Sequence, residues 1–167
     1  MRTLGILLVL LFLLAGCDDG SANPGGGTAQ TPSEPRAGAS CTEGGKELRK
    51  VIIDASSGEK VRVRVEIAES LREVVIGLRW RKSLPENRGM LFVYTDEEKR
   101  TFTMEDTLIP LSIAFMDSEG RIVDIQDMEP SKDGYDSAEP AQYALEVNQG
   151  FFEERGVKVG DKAELPV

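Results

Sequence analysis

Histidine is missing from this chain, tryptophan occurs once, and there are only two cysteines, Cys17 and Cys41. Zinc and copper sites normally need imidazole or paired thiolates, and the common serine and cysteine hydrolases need a histidine base. Carboxylates remain as ligands for calcium, but no D-x-[DN]-x-[DN]-G loop is present. The sequence therefore predicts no metal site and no cofactor, and we do not expect an enzyme of these classes.

Basic residues are also scarce. The chain has 20 Lys plus Arg against 29 Asp plus Glu, which gives a net charge of −9. Proteins that bind nucleic acid draw most of their affinity from Lys and Arg, so nucleic acid is not an expected partner. The same charge opposes binding to anionic lipid head groups.

The sequence has one long apolar run, from Leu4 to Leu14. Its length is about half of the roughly 20 residues that a membrane-spanning helix needs. It follows Arg2, as in an export signal. Its end, Leu14-Ala15-Gly16-Cys17, resembles the lipobox of bacterial lipoproteins. The resemblance implies a signal peptide over 1–16 and a lipid on Cys17 that joins the protein to a membrane. An ordinary cleaved signal is the alternative.

The residues around Cys17 also bear on location. An Asp directly after the lipidated Cys resembles the signal that keeps lipoproteins of enteric-type bacteria in the inner membrane, and Asp18 fills that position. We expect the inner membrane, facing the periplasm, if the source has two membranes, and otherwise the outer surface of the cell membrane. Lipidation of Cys17 would leave Cys41 as a free or intermolecular thiol.

The composition divides the chain into three parts. Residues 18–46 are rich in Gly, Pro, Ser, Thr and Ala and have almost no large apolar side chains, so they cannot offset the entropy of ordering. We predict a signal peptide over 1–16, a lipidated Cys and flexible tether over 17–46, and one globular domain over 47–167.

Strand-like patterns dominate the predicted domain. In 61–67 Val and Ile alternate with charged residues, which predicts a strand with one wet face, and this strand should form a hairpin with 50–55. In 111–116, Leu111, Ile113 and Phe115 share one face. The charged residues 95–100 and the Pro/Gly-rich residues 129–142 are predicted to be loops. Further strands are expected at 89–94, 101–104, 121–128 and 143–148.

One helix is predicted over 70–80. Leu71, Val74, Val75 and Leu78 recur at helical spacing on one face, and Ser70 with Glu73 has the spacing of a capping box. A second short helix should follow residue 148. These elements predict a mainly β fold of the α+β type, a small barrel-like antiparallel or mixed sheet with one or two short helices.

Three segments cover most of residues 61–162, namely "GLRWRKSLPENRGMLFVY", "FTMEDTLIPLSIAFMDSEGRIVDI" and "PAQYALEVNQGFFEERGVKVGD". Together they resemble the domain-of-unknown-function family 192. The resemblance implies a small β-rich fold and no established activity, cofactor or substrate. The family usually has Trp-Met-Lys-Asn-Thr where this chain has Thr103-Met104-Glu105-Asp106-Thr107, so the charge of that segment is reversed here.

Several polar residues are candidates for a binding site. Basic residues crowd the end of the predicted helix, either as charges at its negative end or as an anion-binding patch; they are Arg79, Arg81, Lys82 and Arg88. In "YALEVN", Glu146 and Asn148 share a face that either meets water or lines a polar mouth. The candidate ligand-binding rim is Arg79, Arg88, Asp106, Thr107, Tyr143, Glu146 and Asn148.

The expected function is a lipid-anchored envelope domain that binds a small ligand or an envelope protein. One alternative is a structural or assembly accessory of an envelope complex. The other is an exported hydrolase in which two carboxylates, drawn from Glu105, Asp106 and Glu146, flank a glycosidic bond.

Overall fold

The computed structural model describes residues 42–43 and 46–167. The predicted signal peptide, Cys17, Cys41 and most of the predicted tether lie outside the described residues. Inside the range predicted as tether, Thr42–Glu43 pairs with Lys46–Glu47, so regular backbone is present slightly before residue 47.

The described residues form a mainly β structure with two short helices, which confirms the predicted fold class. Seven strands make one sheet in the order β11-β3-β4-β5-β10-β7-β8, while β6 and β9 pair separately. All neighbours are antiparallel except β4 and β5, which are parallel and are connected through α1. The elements are β1 Thr42–Glu43, β2 Lys46–Glu47, β3 Arg49–Asp54, β4 Lys60–Ala68, α1 Leu71–Ile76, β5 Arg88–Glu98, β6 Thr101–Thr103, β7 Leu111–Met116, β8 Ile122–Met128, β9 Asp133–Asp136, β10 Ala141–Asn148, α2 Phe151–Glu154 and β11 Lys162–Glu164.

The large sheet curls until its edge strands, β8 and β11, meet at one end. The Ile122 amide donates to the Asp161 carbonyl at 2.9 Å, and the Ala163 amide donates to the Gly120 carbonyl at 2.8 Å. Gly120 has a φ of 77°, and a Cβ there would lie 2.6 Å from the Ala163 carbonyl oxygen, so this junction requires glycine. The curl confirms the barrel-like prediction.

Two apolar cores lie on the two faces of the sheet. In β7, Leu111, Ile113 and Phe115 belong to one core, whereas Ala114 and Met116 belong to the other. The predicted shared face is thus confirmed, and the opposite face is buried as well. We call the core that contains Met116 the first core and the one that contains Phe115 the second core.

The predicted hairpin of β3 and β4 is confirmed, with Val51 paired to Val63. Val61 and Val65 are buried with Val63 in the first core, while Arg62 and Arg64 are exposed. Strict alternation in β4 therefore identified a strand with one wet face.

The capping box of α1 is confirmed. The Ser70 hydroxyl accepts from the Glu73 amide at 3.3 Å, and the Glu73 carboxylate accepts from the Ser70 amide at 3.1 Å. The predicted length is wrong, because the helix ends at Ile76 and the chain turns at Gly77, whose φ is 50°.

The predicted buried face of this helix is also wrong. Leu71 is 81% exposed and Val75 is 60% exposed, whereas Leu78, beyond the helix end, is 2% exposed in the second core. The turn at Gly77 redirects the chain, so the helical spacing of these residues does not correspond to one face of one helix.

Both predicted loops contain strand. β5 continues through Glu98, and β9 at Asp133–Asp136 pairs with β6. Asp and Gly have weak strand preference, and here backbone hydrogen bonds from a partner distant in sequence hold them extended. This pairing places Phe102 and Tyr135 over the second core.

Candidate functional site

A cleft of about 240 Å³ lies between α1, with the turn after it, and strands β5, β6 and β10. Aromatic side chains from β5 and β6 form one wall. Polar groups enter it from several elements, namely Arg79, Tyr94, Thr101, Thr103, Thr107 and Glu146.

The alternation of β10 carries Glu146 to this cleft. Leu145 and Val147 point into the first core, so Glu146 points to the opposite face of the sheet, where its neighbours across the strands are Met90 and Ile113 of the second core. Only 4% of Glu146 is exposed. The chain thus places a carboxyl group among apolar side chains.

A glycine allows the backbones of β5 and β10 to lie close together in this region. A Cβ at Gly89 would lie 2.5 Å from the Glu146 carbonyl oxygen, so β5 can approach β10 here only without a side chain.

Within the described part of the chain, no hydrogen bond or ion pair holds the Glu146 side chain. Burial alone raises the pKa of this carboxyl from 4.5 to about 8, because the charged form is poorly solvated away from water. Glu146 is therefore mainly protonated at pH 7. A neutral carboxyl without a partner is open to hydrogen bonding or to ionisation by a ligand.

Arg79 lines the cleft, and its charge is already balanced. Its guanidinium lies 3.1 Å from the Glu105 carboxylate and 3.5 Å from that of Asp106. Arg81 is similarly paired with Glu66 at 2.6 Å. The last turn of α1 contains no basic residue, so these two arginines do not interact with the negative end of the helix dipole. Their guanidiniums contact carboxylates and do not form an open anion site.

Three threonines line the cleft, and two of them use their hydroxyls within the protein. Thr101 donates to the Asp136 carboxylate at 2.6 Å, and Thr103 donates to Asp133. Thr107 is 5% exposed, and its side chain makes no hydrogen bond to another described residue. Thr107, Glu146 and the hydroxyl of Tyr94, which makes no hydrogen bond to another described residue, are thus the polar groups of the cleft that remain available to a ligand.

Backbone strain is concentrated beside the mouth of the cleft. Trp80 and Asp106 have φ values of 60° and 56°, in the left-handed region that non-glycine residues seldom adopt. The Trp80 amide donates to the Asp106 carbonyl at 2.9 Å, and this hydrogen bond joins the two strained residues. Strained residues persist where their surroundings fix them, and they cluster at ligand-binding sites.

The structure brings together part of the predicted rim. Arg79, Thr107 and Glu146 line the cleft, and Asp106 contacts Arg79 at its mouth. The other three predicted rim residues lie elsewhere.

Each of these three has a place in the fold. Asn148 donates to the carbonyls of Leu84 and Pro85 at 3.0 and 3.3 Å and so holds the loop before β5. Tyr143 packs against the first core, on the opposite face of β10 from Glu146. Arg88 lines two other grooves.

Sequence reasoning did not find the aromatic wall. Phe92 and Phe102 meet edge to face with centroids 5.0 Å apart, and Tyr94 extends the wall along β5. Strand signals were visible at both segments, but the pairing of β6 with β9 was hidden because β9 lies in a segment with a loop-like composition.

Another groove, of about 620 Å³, runs along the wet face of β4. Its side chains, such as Lys50, Arg62 and Arg64, are exposed and solvated. Among the described residues, no group of three or more acidic or Cys side chains is arranged to hold a metal ion. Within the same residues, no helix has the length and apolar character needed to cross a membrane.

Comparison with known proteins finds relatives that match most of this chain. A UPF0127 protein of Pyrococcus furiosus is 24% identical over 68% of this chain and 96% of its own length. A protein of unknown function from Novosphingobium aromaticivorans superposes with a TM-score of 0.71 at 31% identity, covering 83% of this chain and all of its own. A "putative transcription regulator" from Sinorhizobium meliloti superposes with a TM-score of 0.69 at 30% identity, covering 71% of this chain and 94% of its own.

The family model of domain of unknown function 192 (DUF192), described as an uncharacterized ACR, matches residues 52–165. This match takes in β4 through β10, the cleft and the buried glutamate. The chain belongs to the DUF192 family.

Proposed function

We propose that this protein is a lipid-anchored envelope domain that binds a small ligand in the cleft. The observation that carries the proposal is the Glu146 carboxyl, buried on the cleft wall without a protein partner. Its oxygens are not among the fully enclosed unsatisfied atoms of the described residues, so they open onto the cleft. A ligand that hydrogen-bonds this largely buried carboxyl compensates its loss of solvation, so the site favours occupancy.

The size of the cleft limits the ligand. Drug-sized sites measure roughly 300–1,000 Å³, and this cleft measures about 240 Å³. The ligand is therefore small, comparable with one or two amino-acid side chains. Regulation of transcription is not extended to this chain from the Sinorhizobium protein, because a net charge of −9 opposes binding to polyanionic nucleic acid.

A ligand screen tests the binding function. The chain from residue 17 onwards, with Cys17→Ala to prevent lipidation, is screened by thermal shift against amines, sugars, amino acids and organic acids. A ligand that binds only the folded state raises the melting temperature. Amide chemical shifts should then change around the cleft, in β5, β6 and β10.

Two matched variants locate the binding. Thr103→Trp adds bulk at an exposed position of the cleft, and Thr95→Trp adds the same bulk at an exposed position of β5 outside it. Hits should disappear in the first variant and persist in the second. Hits that survive Thr103→Trp, or shifts confined to another surface, contradict the cleft as the site.

The lipid anchor has its own control in the chain. Cys17→Ala should abolish metabolic labelling with a radioactive fatty acid, whereas Cys41→Ala, the same change at the other cysteine, should leave labelling intact. Label retained in Cys17→Ala would contradict the anchor.

The proposed location rests on Asp18, and Asp19 supplies a second carboxylate beside it. In a source with two membranes, the native protein should fractionate with the inner membrane. The double change Asp18→Ser and Asp19→Ser should move it to the outer membrane. A native protein already in the outer membrane would overturn inner-membrane retention and leave the lipid anchor untouched.

A further inference from the structure

We infer that the ligand of the cleft is a small organic cation, an amine or guanidinium on an apolar body, which forms an ion pair with Glu146. This inference rests on the proposed binding function and adds the chemical class of the ligand. It is drawn from the donors and acceptors of the cleft, from its aromatic wall and from the charges at its mouth.

The polar groups that line the cleft leave an acceptor in need of a donor. The Arg79 guanidinium is engaged by Glu105 and Asp106, and the hydroxyls of Thr101 and Thr103 donate to aspartates. The hydroxyls of Tyr94 and Thr107 also line the cleft, but neither makes a hydrogen bond to Glu146, which receives nothing from any of these groups. A ligand ammonium or guanidinium carries several N–H donors and a charge opposite to that of a carboxylate, so it satisfies this group more completely than a hydroxyl does.

The aromatic wall favours the same class of ligand. Phe92, Tyr94 and Phe102 line the cleft together with Glu146. The π faces of aromatic rings attract cations, and their apolar surface suits an alkyl or aryl body. The Arg100 guanidinium already lies 4.0 Å from the centroid of the Tyr94 ring, so Phe92 and Phe102 are the rings of this wall that carry no cation from the described part of the chain.

The charges at the mouth disfavour an anion. Glu105 and Asp106 have side chains that are 67% and 53% exposed, and the whole chain has a net charge of −9. Such a field raises the local concentration of cations and slows the approach of anions. An anion would also need the charge of Arg79, which these two carboxylates already balance.

Ion pairing should release a proton. The charged groups that face the cleft are Glu146 and Arg79, which is held by its two carboxylates, and Arg100, paired with Asp96, lies over the Tyr94 ring. Tyr94 stays neutral because burial raises its pKa to about 12. A bound cation stabilises the ionised form of Glu146, lowers its pKa from about 8, and sends the proton to the buffer at pH 7.

The experiment compares three probes of similar shape, phenethylamine, 2-phenylethanol and hydrocinnamate, which present an ammonium, a hydroxyl and a carboxylate. Isothermal titration is run on the Cys17→Ala chain at pH 7 in phosphate and in Tris, since the difference in heat between the buffers counts the protons released. Nα-acetyl-lysine methylamide is added as a fourth probe. It separates a lysine side chain of a polypeptide from a free amine as the source of the cation.

Phenethylamine or the blocked lysine should bind best, and each should release up to one proton. Glu146→Gln should weaken the binding of the amines by at least about tenfold and abolish the proton release. Glu164→Gln, the same change at an exposed position of β11, should alter neither the affinity nor the proton release. If Glu146→Gln fails to fold, proton release on amine binding to the unmodified protein still tests whether the ligand is a cation paired with a carboxylate.

Two results would contradict a cationic ligand without contradicting the cleft as a ligand site. One is binding of the alcohol or the carboxylate that equals or exceeds binding of the amines. The other is amine binding without proton release. Failure of all four probes also overturns the cation. The binding function itself fails separately, if the broad screen finds no ligand that Thr103→Trp excludes.

Discussion

At the scale of single residues, Glu146 shows a conflict between sequence pattern and environment. Its neighbours in β10 alternate as a strand should, and the polar position in such a pattern normally faces water. Here the second core covers that face, and the carboxyl is buried beside Met90 and Ile113. Residues that break a local rule in this way are expected at functional sites.

This burial should make the stability of the protein fall as the pH rises. The pKa of Glu146 is about 8 in the folded chain and near 4.5 when unfolded. Between these values the unfolded chain is ionised while the folded chain keeps its proton, so the free energy of unfolding decreases by about 1.4 kcal/mol per pH unit and levels off above pH 8.

Glu146→Gln removes the titration and nearly preserves shape. Urea unfolding of both proteins at pH 5, 7 and 9 should show the native protein losing on the order of 4 kcal/mol relative to the variant across this range. A difference that stays constant with pH would mean that Glu146 is ionised in the folded state.

At the scale of elements, α1 is held by its cap and by the segment after Gly77 more than by its own side chains. None of its six residues is fully buried. Leu78, after the turn at Gly77, enters the second core. This arrangement leaves Leu71 and Val75 at the surface, and Val75 lines the cleft.

A matched pair of substitutions tests this packing. Leu78→Ala removes a side chain that is 2% exposed and should lower the free energy of unfolding by about 2–5 kcal/mol. Leu71→Ala removes the same atoms from a side chain that is 81% exposed and should cost less than about 0.5 kcal/mol. Equal effects in urea denaturation would restore the continuous amphipathic helix that the sequence predicts.

At the scale of the whole molecule, the buried residues of the two cores of the curled sheet all lie between Val51 and Ala163. The contacts of Lys46 with the Glu73 carboxylate, at 2.7 Å, and with the Ile67 carbonyl, at 3.3 Å, join the start of the described domain to β4 and α1. The ion pair is partly exposed to water, so salt weakens it.

A chain that begins at Lys46 should therefore be as stable as residues 17–167 with Cys17→Ala. We expect the two free energies of unfolding to agree within about 1 kcal/mol, with equal m-values, in urea denaturation. A larger loss, or a smaller m-value for the short chain, would show that residues before Lys46 pack on the domain.

Local patterns were sufficient for much of this protein. Alternation in β3 and β4, the capping box of Ser70 and Glu73, and the shared face of Leu111, Ile113 and Phe115 are all present in the structure. Each depends on neighbours in the chain or on a strict period of two, so the amino-acid order carries the information directly.

The cleft depends on contacts between segments far apart in sequence. β9 becomes a strand because β6 supplies its hydrogen bonds, and Leu78 rather than Val75 is buried because the chain turns at Gly77. The state of Glu146 depends on both faces of β10 being covered. Burial is a property of the surrounding segments, so the residues of β10 predict which way the carboxyl points, while the packing of α1, β5 and β6 determines that it meets a cleft instead of bulk water.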